Sequence, residues 1–251
     1  PDYYSPSGSC ILQDKLGLRT DIGAFDYNLG CSGFVYGLAM AKSIISIGIA
    51  ENVLLITSET YTKHIHQKDK SNRTIFGDGA AATIIEKSKK KGILEFSLGT
   101  DGSGFDNLIV PNGGLRKRFD INAKEIDDGS GSIRTENNLY MNGPEIFNFT
   151  IKAVPLAVER CLAENNTNLD QIDFVIFHQA NKYMIEYLRK KIKIPNKKFY
   201  NNMLFTGNTV SATIPIALKD CIDNNIVKNG DKLLLVGFGV GYSWATTIIE
   251  I

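Results

Sequence analysis

Phe76-Gly77-Asp78-Gly79, followed at once by Ala80-Ala81-Ala82-Thr83-Ile84-Ile85-Glu86, decides the fold, because its pattern occurs twice. Near the end of the chain, Phe238-Gly239-Val240-Gly241 is followed by Thr247-Ile248-Ile249-Glu250. Upstream of each copy the order also matches: a turn, an apolar stretch of helical period, a short Asn/Gly/Lys connector and a Leu-rich run. Cys31 and Ser211, at the two helix openings, stand the same 21 residues before Asn52 and Lys232. Three matches in register imply a duplicated α/β unit. Two such halves packed together place equivalent helix N-termini near each other at the centre, one presenting Cys31 and the other Asn208.

Working outward, Ile22–Phe25 reads as a short strand, Phe34–Gly48 as a helix, and Asn52–Thr57 and Ala81–Ile85 as buried strands. The basic stretch Lys87–Lys91, ended by Gly92, reads as a hinge between halves at 1–88 and 89–251. Beyond it come a strand at Ile93–Leu98, a Gly-rich polar excursion from Asp101 to Asn138, and a helix at Pro144–Asn165. The strand Phe174–Phe177, the helix Lys182–Ile192, the strand Phe199–Asn202 and the helix Ser211–Asn224 follow. Leu233–Phe238 and Thr246–Ile251 close the chain as strands. Strands alternating with helices over short connections predict an α/β fold with a mostly parallel sheet.

A chain of 251 residues has room for one large domain or two small ones sharing a core. Its net charge of +1 argues against a nucleic-acid binder, which needs a basic excess. Cys10, Cys31, Cys161 and Cys221 lie far apart, a pattern of a reducing cytosol rather than of disulfides or zinc. Asn72, Asn148 and Asn165 head Asn-x-Thr triplets, which count as glycosylation acceptors only in a secreted protein. No apolar run approaches the roughly 18 to 20 residues of a membrane span, and no signal peptide precedes the first strand. The opening Pro1-Asp2-Tyr3, without methionine, reads as the start of a fragment or of a processed chain.

Cys31 sits between Gly30 and Gly33 where a strand turns into a helix, a geometry that exposes a nucleophile. A helix N-terminus offers free N–H donors and partial positive charge, which favour thiolate over thiol. His178 follows the strand Phe174–Phe177 directly, at the sheet edge where catalytic groups gather in α/β proteins. Asn208, in Gly207-Asn208-Thr209, lies between strand and helix; alone, it reads equally as a helix N-cap. Together the three have a logic. Cys31 takes an acyl group from a thioester. His178 and Asn208 donate to the oxygen that becomes an enolate when a malonyl thioester loses carbon dioxide. Backbone N–H groups of Cys31 and of the 238–241 loop hold the second oxyanion.

Gly30-Cys31-Ser32-Gly33-Phe34, Phe76-Gly77-Asp78-Gly79-Ala80, His178-Gln179-Ala180-Asn181, Gly207-Asn208-Thr209 and Gly237-Phe238-Gly239 occur in this order along the whole chain. In these motifs the sequence resembles β-ketoacyl-acyl carrier protein synthase III, a thiolase-fold condensing enzyme. The resemblance implies duplicated α/β halves of layered sheets and helices. The first half is incomplete, short by two strand–helix pairs of on the order of 60 to 80 residues. It implies a Cys31–His178–Asn208 triad. It also implies substrate contacts at Lys70, Phe76, Gly143, Phe147, Ala180, Asn181 and Val240, and carrier-protein contacts at Gln179, Lys182, Tyr183, Lys190 and Lys191. Acyl-CoA and acyl carrier protein enter as substrates and partner, with no metal or resident cofactor, in a cytoplasmic homodimer.

The sequence departs from the family pattern at several places. Lys70 stands for an arginine, losing its planar stacking and forked hydrogen bonds. Asn148 and Tyr183 replace basic residues of the docking face, Ser5 replaces an aromatic lent across the dimer, and Val240 replaces a glycine. A specialised acyl acceptor, or an inactive fragment that keeps the docking or dimer face, are the alternatives. A papain-like protease shares the order Cys, His, Asn but not the Cys-Gly-Ser-Cys-Trp signature. The Gly-rich 237–241 turn precedes a strand, where a dinucleotide site needs a helix. His64-x-His66 lacks a third metal ligand nearby.

Overall fold

The computed structural model describes residues 2–90 and 92–251, so Lys91 of the expected hinge and the opening Pro1 lie outside the described residues. Helices α1 (Gly8–Lys15) and α2 (Gly33–Ser46) precede strand β1 (Asn52–Glu59), the short helix α3 (Lys70–Arg73) and strand β2 (Gly79–Glu86). Next come β3 (Ile93–Thr100) and four two-residue strands: β4 (Leu108–Ile109), β5 (Ile126–Asp127), β6 (Ile133–Arg134) and β7 (Tyr140–Met141). The remaining order is α4 (Gly143–Glu164), β8 (Phe174–Phe177), α5 (Lys182–Ile192), α6 (Met203–Thr206), α7 (Thr213–Asp223), β9 (Lys232–Gly239) and β10 (Ser243–Glu250).

The repeat is visible in strand register. Asn52 pairs with Glu86, Val53 with Ile85, Leu54 with Ile84 and Leu55 with Thr83. In the second copy Lys232 pairs with Glu250, Leu233 with Ile249, Leu234 with Ile248 and Leu235 with Thr247. The same four rungs recur, so the repeated letters are a repeated ladder.

β1 and β2 form one sheet; β3, β10, β9 and β8 form another, in that order. Leu233 and Leu235 face one side of β9, and Leu234 and Val236 face the other, as the period of two requires. The first side packs on Phe34, Val35 and Leu38 of α2 and on Ile214 and Ala217 of α7, which also meet Leu55 and Ile85 of the first sheet. The second side packs on Ile146, Val154 and Val158 of α4 and on Met184, Ile185 and Leu188 of α5. The layers therefore run sheet, helix pair, sheet, helix pair. At ~25 cal/mol per Å² of buried apolar surface, these shared faces dominate the stabilisation. The central helix pair, α2 and α7, carries the chemistry at its N-terminal ends.

Three expectations are corrected. The sheets are mixed and largely antiparallel: among the described strands only β8 and β9 run parallel, with two isolated parallel bridges, Val175 to Phe199 and Phe76 to Asn208. The reason is the length of the connections. Only residues 240–242 separate β9 from β10, which suffices for a hairpin but not for a parallel crossover. Ile22–Phe25 is also not a strand, and Ile22 and Phe25 are exposed. An extended run becomes a strand only when its N–H and C=O groups find a ladder, and no described strand lies beside this one. Phe199–Asn202 likewise contributes the single bridge rather than a full strand. The helices expected at Phe34–Gly48, Pro144–Asn165 and Lys182–Ile192 form within two residues of those bounds.

Candidate active site

Cys31 occupies the turn just before α2, with Ser32 as the N-cap, and is 4% exposed. Gly33 N–H donates to the Gly30 carbonyl at 2.7 Å, closing the tight turn. Ser32 Oγ lies 2.6 Å from Ser243 Oγ, fastening this turn to the start of β10. Gly239, at the end of β9, passes directly against the cysteine. A Cβ there would stand 2.7 Å from Cys31 Sγ, closer than any side chain tolerates. Phe76, Val210, Phe238, Val240 and the partly buried Tyr61 complete the apolar surroundings. Tyr61 packs at a tilt against Phe76, with ring centroids 5.1 Å apart.

Asn208 is placed by backbone pairing between the two repeats. Its N–H donates to the Ile75 carbonyl at 2.9 Å, and its own carbonyl accepts from Gly77 N–H at 3.0 Å. Gly77 is required at this crossing, since a Cβ would lie 2.3 Å from the Thr206 carbonyl oxygen. The Asn208 side chain accepts from Val210 N–H at 2.9 Å through Oδ1 and donates to the Ala180 carbonyl at 3.3 Å through Nδ2. Nδ2 carries a second hydrogen, available to a substrate oxygen.

His178 continues the parallel ladder past β8: its N–H donates to the Val236 carbonyl at 2.7 Å. The ring stands edge-on to Phe238 at 5.6 Å and its Nδ1 lies 2.7 Å from Thr213 Oγ1. Val210 touches all three groups. Its N–H serves Asn208, its carbonyl lies beside the His178 ring, and its side chain packs against Gly30 next to Cys31.

Burial governs the electrostatics. It pushes the Cys31 thiol up to about 12, against the Val240 N–H, which favours thiolate; the Glu59 carboxylate adds to the rise. That lift disfavours the thiolate by about 4 kcal/mol, whereas a helix terminus supplies about 0.3–1 kcal/mol. The resting sulfur is a thiol, contrary to the thiolate expected from the helix start alone. Burial likewise holds His178 down to about 3, partly opposed by the Val210 carbonyl, so the ring is neutral.

The His178 shift sets a pH dependence of stability. The unfolded chain takes up a proton at this histidine below its ordinary pKa of 6.5, while the folded chain does not until about 3. Stability is therefore complete above pH 6.5 and falls as the pH drops toward 3. Urea unfolding at pH 7 and pH 4.5 should show about 2–3 kcal/mol of loss from this group. His178→Gln should be less stable at pH 7 and should lose less on acidification. Equal losses in both proteins would remove the assignment.

The remaining expected residues separate by position. Val240 offers its N–H to Cys31, Phe76 belongs to the same buried cluster as the cysteine, and Ala180 meets Asn208. Asn181 caps α5, accepting from Met184 N–H at 2.9 Å. Phe147 stands apart from the cysteine, between Tyr183 and Tyr187 at 5.8 and 5.2 Å on the outer layer of α4 and α5. Gly143 opens α4 and Lys70 opens α3, with Lys70 exposed. Lys182, Tyr183, Lys190 and Lys191 share an exposed face of α5, with Lys191 Nζ donating to the Ile151 carbonyl. Gln179 does not belong to that face. It is fully buried, donates to the Phe177 carbonyl and accepts from Asn202 N–H, so it braces the strand end rather than meeting a carrier. Among the described residues, no group of three His, Cys, Asp or Glu side chains could hold a metal ion.

Residues without a sequence signal also line the site. Glu59 ends β1 and accepts from Ser211 Oγ at 2.6 Å, joining the two repeats beside Cys31. Burial lifts its carboxyl above the ordinary range, and Ser211 opposes that rise. Ser211 was visible only as a helix opening, and Tyr61 and Thr213 only as ordinary polar residues.

The family model for 3-oxoacyl-[acyl-carrier-protein] synthase III matches residues 25–102, and the model for its C-terminal part matches residues 162–251. β-Ketoacyl-[acyl-carrier-protein] synthase III of Clostridium tetani is 40% identical over 100% of this chain and 74% of its own length. The chain belongs to the β-ketoacyl-acyl carrier protein synthase III family. A crystal structure of a 3-oxoacyl-(acyl-carrier-protein) synthase III superposes with a TM-score of 0.97 at 47% identity, covering 100% of this chain and 75% of that one. The Burkholderia xenovorans structure of a 3-oxoacyl-(acyl-carrier protein) synthase gives 0.91 at 37% identity, covering all of this chain and 70% of its own. The thiolase-like α/β fold that the resemblance implied is thus the fold of this synthase III family member.

Proposed function

We propose that this chain carries out the decarboxylative condensation of an acyl thioester with malonyl-acyl carrier protein, through an acyl group held on Cys31. The observation that supports the reading is that Val210 links the three groups: its N–H donates to Asn208 Oδ1, its carbonyl lies beside the His178 ring, and its side chain packs at Gly30 next to Cys31, whose thiolate the Val240 N–H favours.

In the first half-reaction Cys31 sulfur attacks the thioester carbonyl, the bond to the donor thiol breaks, and the Cys31 proton leaves with that thiol. In the second, malonyl-carrier protein loses carbon dioxide and its electron pair remains as an enolate. Nδ2 of Asn208 and the His178 ring stabilise the enolate oxygen. The enolate carbon attacks the acyl-Cys carbonyl, whose oxygen is held by the Cys31 and Val240 N–H groups. Collapse of that intermediate breaks the carbon–sulfur bond, and Cys31 regains a proton.

Acyl carrier protein is the partner in this reading, docked on the Lys182, Lys190 and Lys191 face. Lys70 serves the nucleotide end of coenzyme A, a cytoplasmic homodimer is the working form, and no resident cofactor takes part. Incubation with acetyl-CoA and malonyl-carrier protein should yield a carrier protein heavier by the acetyl group and lighter by carbon dioxide. Because the two changes nearly cancel in mass, isotope-labelled acetyl-CoA reads the gain by intact mass and a separate carbon dioxide assay reads the loss. Protein that acylates Cys31 but leaves malonyl-carrier protein unchanged would instead support transfer to another acceptor.

A further inference from the structure

His178 Nδ1 lies 2.7 Å from the Thr213 hydroxyl at the buried start of α7, and the Val210 carbonyl lies beside the ring. The hydroxyl has one proton and two takers, since Thr213 Oγ1 also lies 3.0 Å from the Val210 carbonyl oxygen. That carbonyl is already supplied, because the Thr213 backbone N–H donates to it where the turn at 210–212 closes. The Nδ1 contact is the shorter of the two and lies within the range of a strong O–H donor. Val210 holds φ at 54°, a left-handed conformation that is unusual for a β-branched residue and that fixes where its carbonyl stands.

The Nδ1 contact can run either way: a hydroxyl that accepts from Nδ1–H puts the ring proton on Nδ1, whereas a hydroxyl that donates to Nδ1 leaves the proton on Nε2. Nε2 has no hydrogen-bond partner among the described residues, and in a neutral ring it is a donor only if it keeps that proton. We propose that Thr213 is a positioning residue, whose hydroxyl donates to Nδ1 and so holds the His178 proton on Nε2, ready for the enolate oxygen. This rests on the condensation proposed above.

The chain has three histidines, so a long-range ¹H–¹⁵N spectrum of histidine-labelled protein can be assigned by substituting His64 and His66. Wild type and Thr213→Ser should show His178 protonated at Nε2, and Thr213→Val should show it at Nδ1. Thr213→Val should also lower carbon dioxide release from malonyl-carrier protein about 100-fold, with acylation of Cys31 changed less than tenfold, and Thr213→Ser should restore the rate. A wild-type spectrum with the proton on Nδ1 overturns the proposal, even if the valine variant does not fold. So does a valine variant that keeps the Nε2 proton, or a loss of rate that serine fails to restore. Wild type that releases no carbon dioxide would refute the condensation instead, while the spectra still decide the tautomer.

Discussion

Cys31→Ala is expected to remove acylation entirely: no mass increase after incubation with an acyl-CoA, where wild type gains one acyl group. The sulfur is the only group at this turn that can form the covalent intermediate, and its loss should lower the condensation rate by at least about 1,000-fold. Cys31→Ser should behave almost as badly, because an unactivated hydroxyl is a poor nucleophile at neutral pH and the burial that raises the thiol penalises an alkoxide more. Cys10, Cys161 and Cys221 provide the internal check. Cys161 lies on the buried face of α4 and Cys221 on the buried face of α7, so neither can replace the missing nucleophile. An acyl adduct that persists in Cys31→Ala would place the chemistry elsewhere.

The second large effect concerns Asn208 and His178. Asn208→Ala and His178→Ala should each lower carbon dioxide release about 100- to 1,000-fold, the cost typical of one lost oxyanion donor. Both should still accept an acyl group on Cys31. The raised thiol makes the His178 arm the more informative. A protonated sulfur at neutral pH must give up its proton as it attacks, and His178 is the neutral imidazole of the site. If His178→Ala blocks acylation as completely as Cys31→Ala, His178 is the base of a Cys–His pair and its donor role fails. Radiolabel transfer to protein, run beside carbon dioxide release, separates the outcomes.

What the sequence disclosed follows a physical division. The repeat and most of its helices and strands were legible because they depend on periodicity, and the apolar run Leu233 to Val236 marks a strand buried on both faces. Cys31, His178 and Asn208 were legible because each sits at a strand or helix end flagged by glycine or by a polar break. The direction of the sheet was misread, since β8, β9 and β10 give the same apolar runs whether paired parallel or antiparallel. The strand expected at Ile22–Phe25 needed a neighbour that local sequence cannot supply. Ser32 with Ser243, Glu59 with Ser211 and His178 with Thr213 were not legible at all. Each joins residues 35 to 211 positions apart, and a serine or threonine carries no mark of the partner it meets. Gln179 shows the converse: a motif neighbour that looked like surface is a buried brace.

The enclosure of Cys31 has a consequence for chemical probes. Cys10 is exposed while Cys31 is not, and the reacting sulfur is a poor thiolate at rest. A general alkylating reagent therefore encounters the wrong cysteine first, and the extent of its labelling says little about occupancy of the site. Selectivity for Cys31 has to come from shape. A warhead must be carried past Phe76 and Val240 on a scaffold that displaces nothing else, and Gly239 leaves no slack behind the sulfur for a bulky adduct.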